Sequence, residues 1–550
     1  MKIRHFLAIG LLSTLASGVY ALDPAVDEPY VTFNAYVTKP DVWLKSSVYD
    51  DEVFFQLDNN PIQSARITKG IDQLQNFVLG NGKTTGSVVK IWASNKMWFI
   101  NMDDMKIDGL TFGKNGKRGI KELRCQNNKL TDFNFVKDLR ALEYLVAGGN
   151  VEMKNAVIES ESLQRLDLGR TLYYNPNLET FSINAPKLLE IALAKTKVTE
   201  VTGLDKCTQI MEINISGNTK LTKLPLPKSE NLEVLQILNN TLLGEITVRD
   251  YPKLRICNLI NNALTKIDVA NIPSVYHLNL ANNKFEEMIM NIPTGGQGGI
   301  TFTLNGNPIR KMSLDMPYCT EFVYQTCQTM DTLDLTGLPR LRRCDVKGGK
   351  LQYVNFNTAA LDTCLRDFHL TYNRMTLDAF PGIVPKMNPA LNYYAPQAQP
   401  EIPAEAIAGS EIDLSHWAVG KNYDGSTTPS VFRWVTIFDE ELQEGKDYIV
   451  KSPGVFQFPN VIEDKFRCFI TNSAYPRFEL WTDSEGRQYD WRIYTGYISI
   501  VKNPSGITAV GTDSDEAAEY YSLQGMRVPQ PVKGQIYIVR KGDKAVKVKY

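Results

Sequence analysis

Histidine is scarce in this chain, and the residue patterns that accompany catalysis are missing from it. Only four histidines occur among 550 residues. The eight cysteines include no Cys-x-x-Cys pair and no Cys/His cluster with zinc spacing, and no serine lies in a Gly-x-Ser-x-Gly elbow. We therefore predict a protein that is not an enzyme, with no catalytic residues, no metal site and no cofactor.

Excess charge of one sign is absent as well. The chain has 60 Lys and Arg residues against 61 Asp and Glu residues. Nucleic acids and anionic lipid surfaces attract strongly basic surfaces, so this balance argues against both partners. Beyond the N-terminal stretch, no apolar run is long enough to cross a bilayer. The sequence predicts no nucleic-acid partner and no integral membrane segment in the mature chain.

The first 21 residues have the composition of a secretory signal peptide. Lys2 and Arg4 give a basic start, an apolar run follows from Phe6 to Leu15, and small residues precede a cleavage point after Ala21. No cysteine follows that point, which argues against a lipoprotein. We expect residues 1–21 to be removed and the protein to be secreted or held at the outer cell surface.

The middle of the chain repeats one pattern of apolar residues that usually ends in asparagine. Residues 120–128 (IKELRCQNN) and 254–262 (LRICNLINN) are clear copies, and a degenerate copy occupies residues 97–105. The last position recurs at steps of 20 to 25 residues, at Asn128, Asn150, Thr171, Thr196, Asn218, Asn240, Asn262, Asn283, Asn307, Cys327, Gly349 and Asn373. This period is that of the leucine-rich repeat.

The repeat predicts a mainly β fold, a solenoid of 12–13 coils over residues 97–385. Each copy forms a short strand whose apolar side chains face the interior, and stacked coils bury them in one continuous core. At the end of each strand a buried asparagine can bond to neighbouring backbone groups that would otherwise lack partners. Thr171, Thr196, Cys327 and Gly349 should do this less well.

The regions outside the repeats have strand composition without the period. Residues 22–96 are predicted to be a β-rich cap on the open end of the solenoid, with an independent binding module as the alternative. Residues 386–401 are a Pro-rich linker, residues 502–519 a second linker, and residues 520–550 a small β tail.

Residues 402–501 are predicted to form an immunoglobulin-like β-sandwich. The Asp464-Lys-Phe-Arg-Cys468 run fits the sixth strand of such a domain, and Trp434 lies upstream where the core tryptophan belongs. The partner cysteine is missing, so the usual disulfide is not expected.

Taken together, the chain resembles secreted leucine-rich repeat proteins of Bacteroidetes-type bacteria. The repeat block carries the resemblance, together with the junction at 391–397 (LNYYAPQ) and the strand at 412–415 (IDLS). The tail at 521–528 (YSLQGMRV) with 533–539 (KGQIYIV) is similar to a short C-terminal sorting domain of type IX secretion. The resemblance implies secretion or surface display and a binding role.

Strand positions two, four and six before the final asparagine should point outward, onto the concave face of the solenoid. The copies ending at Asn240, Asn262 and Asn283 place aliphatic and amide residues there. We call these predicted ligand-binding residues the sheet patch: Val234, Gln236, Leu238, Ile256, Asn258, Ile260, His277 and Asn279. An exposed aliphatic patch commonly marks a contact site, although stacked amides and aliphatics can also simply stiffen a sheet.

The predicted function is that of an adhesin-like binding protein whose partner is a host or bacterial protein. The alternative is a cell-surface glycan-binding accessory protein, in which Trp481, Tyr489, Trp491 and Tyr494 would form the sugar platform. The cysteines are predicted to be buried thiols, and a disulfide between Cys319 and Cys327 is left open.

Overall fold

The computed structural model describes residues 22–170, 172–380, 394–422, 425–502, 519–532, 535–541 and 544–549. The predicted signal peptide, Thr171 and most of the predicted linker at 502–519 lie outside these residues. The described chain consists mainly of strands and divides into two compact units, Met1–Val323 and Tyr324–Tyr550.

The first unit begins with a five-stranded antiparallel sheet. Its strands, in spatial order, are Gln63–Ile67, Asp51–Leu57, Ser87–Ala93, Val31–Ala35 and Asp108–Phe112. A six-residue helix, Lys114–Gly119, follows. Two further strands, Asp41–Ser46 and Gln75–Val78, instead extend the repeat sheet, because Asp41–Ser46 pairs antiparallel with the first repeat strand. The N-terminal region therefore occupies the edge that the first coil would otherwise leave unpaired.

Eleven parallel strands, one from each coil, form the main sheet of the first unit. They are Met97–Asn101, Glu122–Arg124, Tyr144–Val146, Arg165–Asp167, Glu190–Ala194, Glu212–Ser216, Val234–Leu238, Ile256–Asn258, His277–Asn279, Ile300–Thr303 and Cys319–Val323. Inward residues such as Leu235, Ile237 and Leu278 are completely buried. The alternation of buried and outward residues follows directly from the two-residue period of a strand.

The buried asparagines form the predicted ladder along the end of this sheet. The Oδ1 atom of Asn240 accepts a hydrogen bond from the backbone N–H of Asn218 at 2.9 Å, and its Nδ2 donates to the carbonyl of Ile215 at 3.0 Å. The backbone N–H of Asn240 in turn donates to Oδ1 of Asn262 at 2.9 Å. Each side chain thus joins its own coil to the preceding one and satisfies backbone groups that are shielded from water.

The residue before each ladder position explains why so many copies end in Asn-Asn or Gly-Asn. The backbone there is left-handed, with φ of 60° at Asn239, 58° at Asn261 and 69° at Gly217. Glycine adopts this conformation without steric cost, and asparagine tolerates it better than most residues. The pair therefore combines a residue that can turn the chain with a residue that can bond to the next coil.

The ladder corrects one position of the predicted repeat register. Thr171 lies outside the described residues, and the side chain in its coil that joins the ladder is Asn175. Its Oδ1 accepts from the backbone N–H of Asn150 at 2.7 Å, and its Nδ2 donates to the carbonyl of Ala147 at 3.2 Å. The next step of the repeat is longer, and those extra residues allow an amide to occupy the place that the spacing had given to threonine.

The segments between repeat strands are extended or consist of single turns rather than full helices. Several form a second set of parallel strands: Asn155–Glu159 with Thr180–Asn184, Glu245–Arg249 with Lys266–Ala270, and Glu287–Asn291 with Lys311–Asp315. Two coils have a short 3₁₀ turn instead, Asn134–Asp138 and Leu204–Lys206.

The second unit contains two more repeat strands, Arg343–Asp345 and Asp367–His369, which pair in parallel. The intervening segments form a further parallel pair, Thr332–Leu335 with Tyr353–Phe356, and one π-helical turn, Ala360–Cys364. The described residues of the two units contain thirteen repeat strands, which confirms the predicted mainly β solenoid.

The ladder of the second unit continues into the segment predicted as a Pro-rich linker. Gln397 donates from Nε2 to the carbonyl of Leu370 at 2.8 Å and accepts from the backbone N–H of Met375 at 3.2 Å. These are the two bonds that an asparagine makes in the other coils. Residues 381–393 lie outside the described residues.

The rest of the second unit is built of mainly antiparallel sheets, with one parallel pair between Glu405–Ile407 and Ile498–Val501. Two larger sheets hold the strands Glu405–Ile407, Ile498–Val501, Ile462–Thr471, Val431–Thr436 and Ile493–Tyr494, and the strands Glu411–Asp413, Val455–Gln457 and Ile449–Ser452. Two hairpins join Val419–Lys421 to Thr427–Pro429 and Leu480–Thr482 to Gln488–Asp490. Short 3₁₀ turns occupy Leu377–Ala379 and Ser415–Trp417.

Trp434 lies at the centre of this region. It is completely buried, its ring contacts those of Phe456, Phe458 and Phe466, and it is opposite Cys468 in the strand register. The immunoglobulin-like topology itself stays a prediction.

The chain ends in a three-stranded antiparallel sheet, Glu519–Tyr521, Ile536–Lys541 and Lys544–Lys549. No helix in the described ranges has the length and apolar character needed to span a membrane.

Candidate functional site

The strand register brings the predicted sheet-patch residues side by side in the first unit. Val234 is opposite Ile256, which is opposite His277, and this row continues through adjacent strands. Gln236, Asn258 and Asn279 form the second row in the same way. Leu238 and Ile260 follow at the strand ends, where the backbone N–H of Asn239 bonds to the carbonyl of Ile260 at 3.0 Å. The eight residues therefore occupy one continuous area of the outward face.

The patch residues are half-buried rather than fully exposed. Neighbouring strands in a sheet lie about 4.8 Å apart, so the side chains of adjacent coils cover one another's flanks and leave only their tips to solvent. The aliphatic members are bounded by Glu212 along one row and by His277 on the other side. The aliphatic strip of the patch thus consists of two short rows, Val234 with Ile256 and Leu238 with Ile260, and the amides lie between them.

The amide row is not a hydrogen-bonded ladder. Among the described residues, no side-chain hydrogen bond joins Gln236, Asn258 and Asn279 to one another, and Asn279 instead accepts from the backbone N–H of Ala281 at 3.0 Å. The Oδ1 atom of Asn258 is shielded from solvent and has no partner in that part of the chain. A buried polar atom without a partner costs roughly 1–3 kcal/mol. The purely structural interpretation of this row therefore lacks the bonds it requires.

His277 is an uncharged member of the patch. It is partly buried between Ile256 and Thr301, and this burial lowers the pKa of its imidazole below the usual value. The side chain is therefore neutral at physiological pH and can donate and accept hydrogen bonds through its two ring nitrogens.

A group of ion pairs lies beside the patch and was not anticipated from the sequence. Arg165 contacts Glu190 at 3.2 Å, and Arg170 reaches both Glu190 at 3.5 Å and Glu212 at 3.2 Å. Because the residues come from coils about 22 residues apart, only the strand register reveals that their charges meet. These ion pairs compensate the charges of the four residues, and the aliphatic strip begins one strand further along, where Val234 pairs with Glu212.

A large cleft of the first unit lies elsewhere, and its lining includes no sheet-patch residue. Its volume is about 1510 Å³, and its apolar lining includes Leu224, Ile246, Ile267 and Ile289. It lies beside the second set of strands, and its lining includes residues of Glu245–Arg249 and Lys266–Ala270 together with Pro225. Its rim carries acidic and basic residues in mixture, so no single ligand chemistry is indicated.

Seven of the eight cysteines are buried thiols, Cys364 is partly exposed, and none of them belongs to the sheet patch. Cys319 and Cys327 are both reduced, so the disulfide left open by the sequence is not formed. Burial raises the pKa of the Cys257 and Cys319 thiols to about 12. At neutral pH they carry no thiolate and act as small apolar residues of the core.

The four aromatic residues predicted as a sugar platform lie in two separate groups in the second unit. Trp481 and Trp491 are stacked with ring centroids 4.7 Å apart and an interplanar angle of 7°, and Tyr489 lies 5.4 Å from Trp481. Tyr494 instead lies beside Phe469 and Arg467 on the larger sheet. The stacked group is half-buried, so ring surface remains accessible to a ligand.

Neither a protein-family model nor a curated protein matches this chain. Solved structures do match it, at low similarity. The functional domain of InlJ from Listeria monocytogenes is 14% identical over 71% of this chain and 92% of that one, with a TM-score of 0.31. The leucine-rich effector protein YopM from Yersinia pestis is 20% identical over 49% of this chain and 83% of that one, with a TM-score of 0.29.

A plant peptide hormone receptor, RGFR1 in complex with RGF2, is 12% identical over 52% of this chain and 76% of that one, with a TM-score of 0.13. These scores are too low to support an argument about function. The solenoid assignment rests on the strand register and the asparagine ladder of the chain itself.

Proposed function

We propose that this chain is an exported, non-catalytic, adhesin-like binding protein that engages a host or bacterial protein through the sheet patch on the concave face of its solenoid. In this proposal residues 1–21 direct export and the C-terminal segment 520–550 directs sorting to the outer surface. The described residues contain no group of three or more His, Cys, Asp or Glu side chains arranged to hold a metal.

One observation supports the proposal most directly. The aliphatic strip of Val234, Leu238, Ile256 and Ile260 surrounds amide groups that have no bonds to one another. Covering the exposed tips of these side chains would contribute about 25 cal/mol for each Å² of apolar surface removed from water. A partner's backbone could then bond to the amides, and interfaces of this kind concentrate their energy in a few central residues.

The rigidity of the surrounding sheet favours the same use. The asparagine ladder and the parallel backbone bonds hold each coil against its neighbours before any partner arrives. A preordered surface loses little conformational entropy on association, so more of the contact energy appears as affinity.

The test compares two double substitutions in the full chain. Surface proteolysis of intact cells, followed by a pull-down with the mature chain, supplies the partner. We expect Leu238→Asp with Ile260→Asp to weaken its binding by about 100-fold or more, because two carboxylates would be buried against apolar groups.

The matched control is Val157→Asp with Ile289→Asp. These aliphatics lie in the second set of strands and are 48% and 66% exposed. The control should bind within about twofold of the unchanged chain. Circular dichroism and the thermal midpoint verify the fold of both variants. Undiminished affinity after the first pair of substitutions would refute the role of the sheet patch.

Glycan binding by the second unit is the second candidate function. The parallel stacking of Trp481 on Trp491 favours it, because flat aromatic surfaces are suited to the apolar faces of sugar rings. The outward positions of the repeat strands contain few aromatic residues, so any glycan site is expected in residues 402–501 rather than in the solenoid.

A further inference from the structure

The outward face of the larger sheet in the second unit holds three arginines around one aromatic ring. The guanidinium carbons of Arg467, Arg492 and Arg433 lie 4.6, 5.0 and 5.7 Å from the centroid of the Phe469 ring. Arg467 also lies 4.8 Å from the Tyr494 ring and 5.0 Å from the Tyr497 ring. We call these six residues the arginine face.

Strand pairing builds this face from distant parts of the sequence. Arg433 is opposite Phe469, and Phe469 is opposite Tyr494, so three antiparallel strands place them in one row. The alternate residues of the same strand, Phe466, Cys468 and Ile470, are buried in the core. Phe469 and Arg467 therefore lie on the other face of the sheet, where the arginines surround Phe469, which is only 8% exposed, and Arg433 is open to solvent.

The positive charge of the arginine face is compensated only in part. Asp490 forms a two-point ion pair with Arg492, at 2.9 Å from Nε and 2.7 Å from Nη2, and this contact lowers the pKa of the Asp490 carboxyl. Arg433 and Arg467 form no ion pair with any carboxylate in the described ranges. Like charges held close together repel, and a bound anion would remove that repulsion.

We propose that the arginine face binds an anionic polysaccharide, one whose sugar units carry carboxylate or sulfate groups. Guanidinium groups bind such oxyanions through two parallel hydrogen bonds. The rings of Tyr494 and Tyr497 supply flat apolar surface beside the charges, and Trp491, which is stacked on Trp481, directly precedes Arg492 in the chain.

A polysaccharide fits this combination better than an acidic peptide does, because it repeats both features at a fixed spacing: an anionic group and an apolar ring face. The inference deepens the second candidate function, since it rests on the ligand being a glycan, and it is independent of the sheet patch.

The experiment measures binding of the full chain, from Leu22 onward, to polygalacturonate, dextran sulfate, neutral dextran and polyglutamate by biolayer interferometry at two salt concentrations. We expect binding to polygalacturonate or dextran sulfate, weakening as salt rises, and no comparable binding to neutral dextran. The first two probes distinguish carboxylate from sulfate as the preferred group.

The critical variant is Arg433→Gln with Arg467→Gln, which removes the two arginine charges that form no ion pair among the described residues. It should weaken polyanion binding by about tenfold or more, since each charge-assisted hydrogen bond is a strong one. The control, Lys446→Gln with Lys451→Gln, removes the same charge from exposed positions at the smaller sheet. It should change binding by less than about twofold.

A third variant, Tyr497→Leu, tests the aromatic contribution at a residue that is already 42% exposed. It should weaken binding to the anionic polysaccharides and leave any binding to polyglutamate unchanged.

Four results would overturn the proposal. Equal loss in the lysine control would show a general charge effect. Tighter binding to polyglutamate would identify an acidic peptide as the ligand. Binding of neutral glycans that survives the arginine substitutions would uphold the glycan candidate while refuting the arginine face, and the absence of any binding to the polyanions would refute it as well.

Discussion

Two rows of amide side chains run along the first unit at the same repeat spacing, and their bonding differs completely. In the buried row, which includes Asn218, Asn240 and Asn262, each side chain bonds to the backbone of the preceding coil. The outward row of Gln236, Asn258 and Asn279 has no bonds within itself in the described residues, and one of its oxygen atoms lacks any partner. The repetition of a residue type along the coils is therefore not evidence of a structural role. The hydrogen-bond partners of each side chain show whether it has one.

The largest expected effect comes from breaking the buried row. Asn240→Leu would leave the backbone N–H of Asn218 and the carbonyl of Ile215 buried without partners. At roughly 1–3 kcal/mol for each group, the free energy of unfolding should fall by about 2–5 kcal/mol. Urea denaturation followed by circular dichroism measures this, with Gln236→Leu in the outward row as the matched control.

The control should change the free energy of unfolding by less than about 0.5 kcal/mol, because its side chain makes no bond that holds a coil. Equal destabilisation by the two substitutions would mean that both rows are structural, and the distinction between them would fail.

A smaller and opposite effect is expected in the outward row. Asn258→Val removes the unpartnered Oδ1 atom and places a β-branched residue in a strand, so stability should rise by about 1 kcal/mol. The same change should weaken binding to the protein partner, since it removes an amide from the sheet patch. Thermal unfolding and the affinity of the same preparation measure the two effects, and a loss of stability would show that Asn258 has a structural partner.

The smallest expected effect concerns Asp103, an outward residue of the first coil. Burial, together with the nearby Asp104, raises the pKa of its carboxyl to about 6, although the backbone N–H of Gln126 donates to it. Because the folded state binds this proton more tightly than the unfolded state, the ionised carboxylate opposes folding. Stability from this group is retained below about pH 4 and is lost as pH rises to about 6.

Asp103→Asn should therefore stabilise the chain at pH 7 and make little difference at pH 4. Unfolding curves of both proteins at the two pH values measure this, and an equal shift at both would exclude ionisation as the cause. Stabilisation at pH 7 alone would extend the comparison. It would show that a polar group without sufficient partners also lies on the outward face outside the sheet patch.

The sequence was sufficient for the features that repeat. Apolar spacing predicted the repeat strands and the inward residues, and the final asparagine of each copy predicted the ladder, since both depend on contacts between positions about 22 residues apart. The predicted outward rows of the sheet patch follow from the same register. Their role in binding stays a prediction.

What the sequence could not supply depends on irregular or long-range pairing. The repeat spacing alone places Thr171 in the ladder. The additional residues in the next step of the repeat, which allow Asn175 to take that position, are recognised only from the hydrogen bonds. The arginine face was missed because Arg433, Arg467 and Arg492 meet only through antiparallel register across about 60 residues. The alternation of side chains in the strand Ile462–Thr471 could have indicated part of it. Arg467 and Phe469 are the chain neighbours of Cys468, so their side chains lie on the other face of the strand from this buried cysteine.

The most direct test of the central claim is site-specific photo-crosslinking on intact cells. A photoreactive amino acid is placed at Leu238 in the sheet patch or at Ile289 in the second set of strands, and the crosslinked protein is identified by mass spectrometry. We predict that one partner protein is captured from Leu238 and not from Ile289, and that Gln236→Leu with Asn258→Val reduces its yield. Capture of the same protein from Ile289 alone would contradict the proposal that the outward face of the repeat sheet is the binding surface.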